Sequence, residues 1–148
     1  MTMYPIVRAV VTRLAANAGV SGVVGARIYP EARAQDGALP CIVVSLTQEE
    51  TSGALVASAT TLRKAEVELA IVAATAKQCS EIAEVIYASL HGATLWTYST
   101  AGAGATSIRV LHSLHSKSLT NYQPPSAGEA TGAYLHSSIY SILYQEDN

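Results

Sequence analysis

Gly25-Ala26-Arg27-Ile28-Tyr29-Pro30, followed after a polar spacer by Leu39-Pro40-Cys41-Ile42-Val43-Val44-Ser45, decides how the chain reads. The first stretch is a short apolar run that stops on Tyr-Pro. The second opens on a proline, which is tolerated at the first residue of a strand. It continues with Cys41 and Val43 on one face and Ile42, Val44 and Leu46 on the other. A run apolar on both faces predicts a strand over Pro40 to Gln48 that is covered on both sides. Arg27 to Tyr29 reads as a short strand before it.

Working outward, Tyr4 to Ala18 reads as a helix, with Pro5 in its first turn and Val7, Val10, Val11, Leu14 and Ala18 on one face. Gly19 is the expected stop. Ser21 is the expected cap of one further turn, which Gly25 ends. Arg63 to Ala73 alternates as a strand with one wet face: Ala65, Val67, Leu69, Ile71 and Ala73 point one way, and Lys64, Glu66 and Glu68 the other. Thr75 and Gln78 have capping-box spacing. They precede a helix striped by Cys79, Ile82, Ala83, Ile86 and Leu90, which Gly92 terminates. Strands follow at Thr106 to Ser116 and Ala133 to Gln145. The order predicts an α+β fold, a mostly antiparallel sheet with two helices packed on one face. Three connections, Glu49 to Leu62, Ala93 to Ala105 and Lys117 to Gly132, are long and rich in small residues, and they predict flexible loops that order on a partner.

The 148 residues fit a single domain over 1–148. A net charge of −2 supplies no basic surplus for a phosphate backbone, which argues against specific nucleic-acid binding. Residues 1–40 carry four Arg against Glu31 and Asp36, whereas residues 45–100 carry six Glu against Arg63, Lys64 and Lys77. No run approaches the length of a membrane span. Met1-Thr2-Met3-Tyr4-Pro5 lacks the features of a signal peptide. Charged residues make up only 14% of the chain and apolar ones 49%, a balance that favours surface hidden against other copies. Cys41 and Cys79 both fall on apolar positions and read as buried free thiols.

No arrangement of residues carries an obvious chemistry. His112 and His115 are three apart on a predicted strand, so they face opposite sides and cannot easily share a metal. His91 and His136 are isolated. Glu49-Glu50 and Glu66/Glu68 are the close carboxylates, and Glu66/Glu68 reads as a wet sheet face rather than an acid/base pair. Ala101-Gly102-Ala103-Gly104-Ala105 lacks the Lys-Ser/Thr of a P-loop. No nucleophile elbow is present. Catalytic, cofactor-binding and metal-binding residues are therefore not assigned.

Aromatic residues point instead to contact surfaces. The chain has eight Tyr, one Trp and no Phe, and Tyr suits positions with one apolar and one wet end. Trp96 and Tyr98 fall in one expected loop and Tyr122 in another; a loop Trp anchors either its own domain or a partner. Tyr134, Tyr140 and Tyr144 share a face of the last strand. With Glu66 and Glu68, these residues form the expected subunit or partner interface.

Met3-Tyr4-Pro5 opening a helix, Gly25 to Pro30, Leu39-Pro40 before an apolar strand, a helix ending Leu90-His91-Gly92, and a last strand from Tyr134 to Tyr144 together resemble the tail completion family of long-tailed phages, which includes the tail terminators. The resemblance implies an α+β fold and a closed homo-oligomeric ring, typically a hexamer. Such a ring caps the tail tube, meets a head-side connector or stopper protein, and lets DNA pass through its lumen. It further implies a virion protein of the tail and neck, assembled in the host cytoplasm, with no membrane partner, no cofactor and no catalysis. The loops around Tyr98 to Ala105 and Tyr122 to Thr131 match no family motif. A head-completion or neck connector protein is a neighbouring reading. A small ligand-binding α+β domain, with its site under the long loops, is the alternative from a different class.

Overall fold

The computed structural model describes residues 5–31, 39–51, 60–92, 96–99, 107–123 and 132–147. Its elements run α1 (Pro5–Ala16), α2 (Ala18–Val24), β1 (Ile28–Pro30), β2 (Cys41–Thr51), β3 (Thr60–Ala73), α3 (Ala76–Leu90), β4 (Trp96–Ser99), β5 (Ser107–Gln123) and β6 (Ala133–Asp147). The strands form one sheet of six in the order β1-β2-β3-β6-β5-β4. β1 lies parallel to β2, and every other pairing is antiparallel. The fold is α+β as expected, and β1 makes the sheet mixed.

The two opening stretches are neighbours in space. Ile28, Tyr29 and Pro30 pair with Ile42, Val43 and Val44. Arg27 fastens them: its carbonyl accepts from the Ile42 amide at 3.0 Å, and its Nε donates to the Pro40 carbonyl at 2.8 Å. Ile42 and Val44 are buried beneath the helices; on the opposite face Cys41 is fully buried and Val43 half-buried.

The helix stripes follow their spacing for the most part, although Ala18 is exposed, Val11 and Ala83 are half-buried, and Ile6 and Ala9 are buried with them. Val7, Val10 and Leu14 of α1 and Cys79, Ile82, Ile86 and Leu90 of α3 are buried against Val44, Val67, Leu69, Ile71 and Ile142 on one sheet face. The N-terminal break, however, comes at Asn17 rather than Gly19. Asn17 is extended (φ −84°, ψ 116°), and its Oδ1 accepts from the amides of Gly19 and Val20, the arrangement of an N-cap. Two helices therefore meet at a bend of 88°. Gly19 lies inside α2, where it allows the close approach of Val85. The single extra turn expected from Ser21 is thus a seven-residue helix, α2, and Gly25 closes it at φ 60°. Thr75 caps α3 by accepting from the Gln78 amide at 3.1 Å, and Gly92 leaves it at φ +73°.

Three bulges set which residues share a face. Pairing shifts between Leu46 and Gln48 on β2, and between Val110 and His112 and between His115 and Lys117 on β5. Each extra residue switches the side to which the following residues point. The expected loops are shorter than read. Residues 49–51, 60–62, 96–99 and 117–123 are strand, which moves Trp96 and Tyr98 onto β4 and Tyr122 onto β5. The rest of those expected loops, with their expected flexibility, lies outside the described residues.

Candidate assembly interface

The sheet presents two unlike faces. Under the helices, Tyr140 and Tyr144 are 1% exposed and belong to the core. Burial raises the Tyr140 phenol well above its ordinary value, with a smaller contribution from Tyr87. Tyr134 packs at the rim of that core and meets Tyr122 on β5 at a ring separation of 5.1 Å. Of the tyrosines expected to serve contact, Tyr122 is the one truly open, at 55% exposure.

Glu66 and Glu68 point to the other, outer face, in cross-strand rows with Gln48, Ser141 and Leu114, and with Ser45, Ile139 and Lys117. Glu68 accepts a 2.7 Å hydrogen bond from Ser137. Apolar residues are interspersed among these charges. Leu114 is 45% and Leu119 63% exposed, and Val43, Leu135, Ile139 and Leu143 are half-buried without any described element above them. The result is a mixed face, neither a dry core nor a fully wet surface.

Trp96 and Tyr98 line a groove of about 390 Å³ between α1 and β4. The Arg13 guanidinium stacks over the Trp96 ring at 4.8 Å and donates twice to the Ser89 carbonyl, at 3.1 and 3.2 Å. Arg13 thereby ties α1 to the end of α3 and to β4, and burial lowers its pKa. The indole Nε1 of Trp96 is buried without a partner among the described residues. Trp96 is thus half-buried and anchored on its own domain.

A second groove, of about 290 Å³, runs between α3 and the β5–β6 ladder. Tyr87 stacks on His91 at 4.4 Å, and His115 meets the edges of Tyr87 and Tyr140 at 5.7 and 5.3 Å. The His115 amide donates to His91 Nδ1 at 3.0 Å, and the Gly92 amide donates to the Ser113 carbonyl at 2.7 Å. The residues that close α3, His91 and Gly92, are therefore docked onto β5. His136 Nδ1 lies 2.7 Å from the Thr120 hydroxyl. Desolvation first, and then the charge of His115, push the His136 pKa down. His112 and His115 fall on opposite faces, in rows with Leu143 and Tyr140. Among the described residues no group of three His, Cys, Asp or Glu is placed to hold a metal, and no single helix is long and apolar enough to cross a membrane.

Among the described residues the grooves and sheet faces are lined mainly by packing and aromatic contacts. Residues 8–120 match the family model described as "Tail completion protein gp17". The chain belongs to this family, and so it is a structural protein of the phage tail and a component of the virion. It is also similar to a chain in a solved structure titled "Virion of native gene transfer agent (GTA) particle", at 16% identity and a TM-score of 0.57, over 95% of this chain and 99% of that one. That likeness is one of fold. No curated protein matches the sequence.

Sequence reasoning missed the edges of the sheet. β5 is 17 residues long, yet β4 pairs only with Ser107 to Val110. β2 is 11 residues long, yet β1 pairs only with Ile42 to Val44. The absence of any Gly or Pro between Ser116 and Tyr122 was the available signal that β5 continues.

Proposed function

We propose that this protein is a tail terminator. Copies close into a ring that caps the tail tube and offers its far side to the head-side connector. The observation that carries the reading is the partly open, apolar-dotted outer face. Leu114 and Leu119, 45% and 63% exposed, share that face with half-buried Val43, Leu135, Ile139 and Leu143. Open leucines beside half-buried apolar neighbours make a mixed patch of the kind that assembly contacts bury. Membership of the tail completion family supports the same reading. Ring closure by rotation limits the assembly to one layer, which suits a cap that must stop a growing tube.

Deleting the gene from the phage that encodes it tests the proposal. The expected result is tails of uncontrolled length that fail to join heads. Tails of normal length that lack heads would move the protein to the neck, and normal infectious particles would reject both roles.

A further inference from the structure

The two open edges lie at diagonal corners of the sheet. At one end β1 covers β2, while residues 117–123 of β5 have no strand partner on their outer side among the described residues. At the other end β4 covers β5, while residues 45–51 of β2 lack an outer partner in the same sense. Natural sheets blunt such edges with prolines, bulges or short strands. β1 and β4 are short edges of that kind. Residues 117–123 contain no proline, carry Lys117 as their single charge, and expose every side chain from Lys117 to Tyr122.

We infer that neighbouring copies join by pairing residues 117–123 of one with residues 45–51 of the next. The inference rests on the ring reading above and specifies its joint. Three consecutive antiparallel steps separate β2 from β5, so the two strands run in opposite directions. Copies related by rotation would therefore pair antiparallel with all helices on one side, the ordinary geometry of strand addition.

Matching faces fixes the register. Thr120 and Glu49 both belong to the helix side, in rows with His136 and Ala65, whereas Asn121 and Gln48 both belong to the outer side, in rows with Leu135 and Glu66. Thr120 opposite Glu49 then places Asn121 opposite Gln48 and Leu119 opposite Glu50. Lys117 becomes the diagonal neighbour of Glu50, within reach of an opposite charge.

The offset this register demands is consistent with closure. Thr120 lies in the row of Ile71, and Glu49 lies in the row of Ala65, six residues away along β3. Six residues shift the next copy by roughly 20 Å, and six strands span roughly 29 Å. The joined sheet therefore tilts by about 35°, at the lower end of the roughly 35–45° found in closed sheets.

Oxidative cross-linking of Gln48→Cys/Asn121→Cys tests the joint. Both positions are exposed, and the native Cys41 and Cys79 are buried. Tails assembled with this variant are expected to yield a ladder of subunit multiples that ends at the ring, and either single variant is expected to yield none. Rings that form without cross-links overturn the joint and leave the ring standing. Cross-linked open chains without rings keep the joint and remove the ring. Dimers from a single variant indicate a two-fold contact and overturn the inference. Hydrogen exchange on the unaltered chain is the second measure: amides of 45–51 and 117–123 should gain protection together on assembly. Protection of 117–123 alone, present only with tube protein, assigns that edge to the tube and overturns self-pairing.

Discussion

The hydroxyl of Tyr144 donates a 2.9 Å hydrogen bond to Oε1 of Glu49, 95 residues earlier in the chain. The same oxygen receives Arg63 Nη1 at 2.6 Å. The bulge between Leu46 and Gln48 makes this possible. Without the extra residue, Glu49 would point to the outer face and the buried phenol would meet a different side chain.

Tyr144→Phe removes this donor while keeping the ring that fills the core. A hydrogen bond to a partly buried carboxylate is worth about 1.5 kcal/mol to stability. The denaturation midpoint should fall by the corresponding amount with the slope unchanged. An unaltered midpoint would show that the bond contributes nothing net.

The two glycines of α2 should respond in opposite ways to alanine. Nothing lies within 4 Å of a Cβ built on Gly22, so Gly22→Ala is expected to stabilise by about 0.5–1 kcal/mol through helix propensity. A Cβ on Gly19 would sit 2.9 Å from Val85 Cγ1 and 3.1 Å from Asn17 Oδ1. Overpacking there outweighs the propensity gain, and a net loss of about 1 kcal/mol is expected. Thermal unfolding of both variants checks the pair. A Gly19→Ala protein as stable as Gly22→Ala would mean that α2 and α3 are not in close contact.

His136 makes folding stability depend on mild acid. Its folded-state pKa lies below the ordinary 6.5, so the unfolded chain takes up the proton first as pH falls. Stability contributed by the neutral ring is complete above about pH 6.5 and is lost as pH drops from there towards the folded value. Glu84, Tyr87, His115 and Tyr140 line the same groove. Denaturant unfolding at pH 7.0 and 5.5 should show a smaller drop for His136→Gln than for the unaltered chain. Equal drops would place the pH sensitivity elsewhere.

Much of the subunit can be read from local chemistry. The stripes of α1 and α3, the Thr75 cap, the Gly25 and Gly92 exits and the alternation of β3 each follow from periodicity or from a terminal residue satisfying backbone groups, which are interactions within a few residues. Family membership was legible for a similar reason, since it rests on the order of such elements. Pro40 to Gln48 shows where this stops. Apolar residues on both faces say that both are protected from water, not by what. The helices cover one face of this strand; on the other, Cys41 is fully buried and Val43 half-buried.

Register and edges belong to the tertiary structure. A bulge shifts one residue and reverses the faces of all that follow, yet Thr47, Leu111 and Ser116 carry no distinctive chemistry that marks it in the chain. Trp96 and Tyr98 form a strand because β5 is there to pair with them, and four residues alone could not hold that conformation. Local chemistry was enough for α1 and α3, the Thr75 cap and the apolar alternation of β3. Only the tertiary structure decided that Tyr140 and Tyr144 lie inside, that Glu49 turns inward, and that β2 and β5 end as open edges at opposite corners. The reason is physical: helices and caps are settled by neighbours in the chain, whereas a strand's faces and edges are settled by the strand beside it.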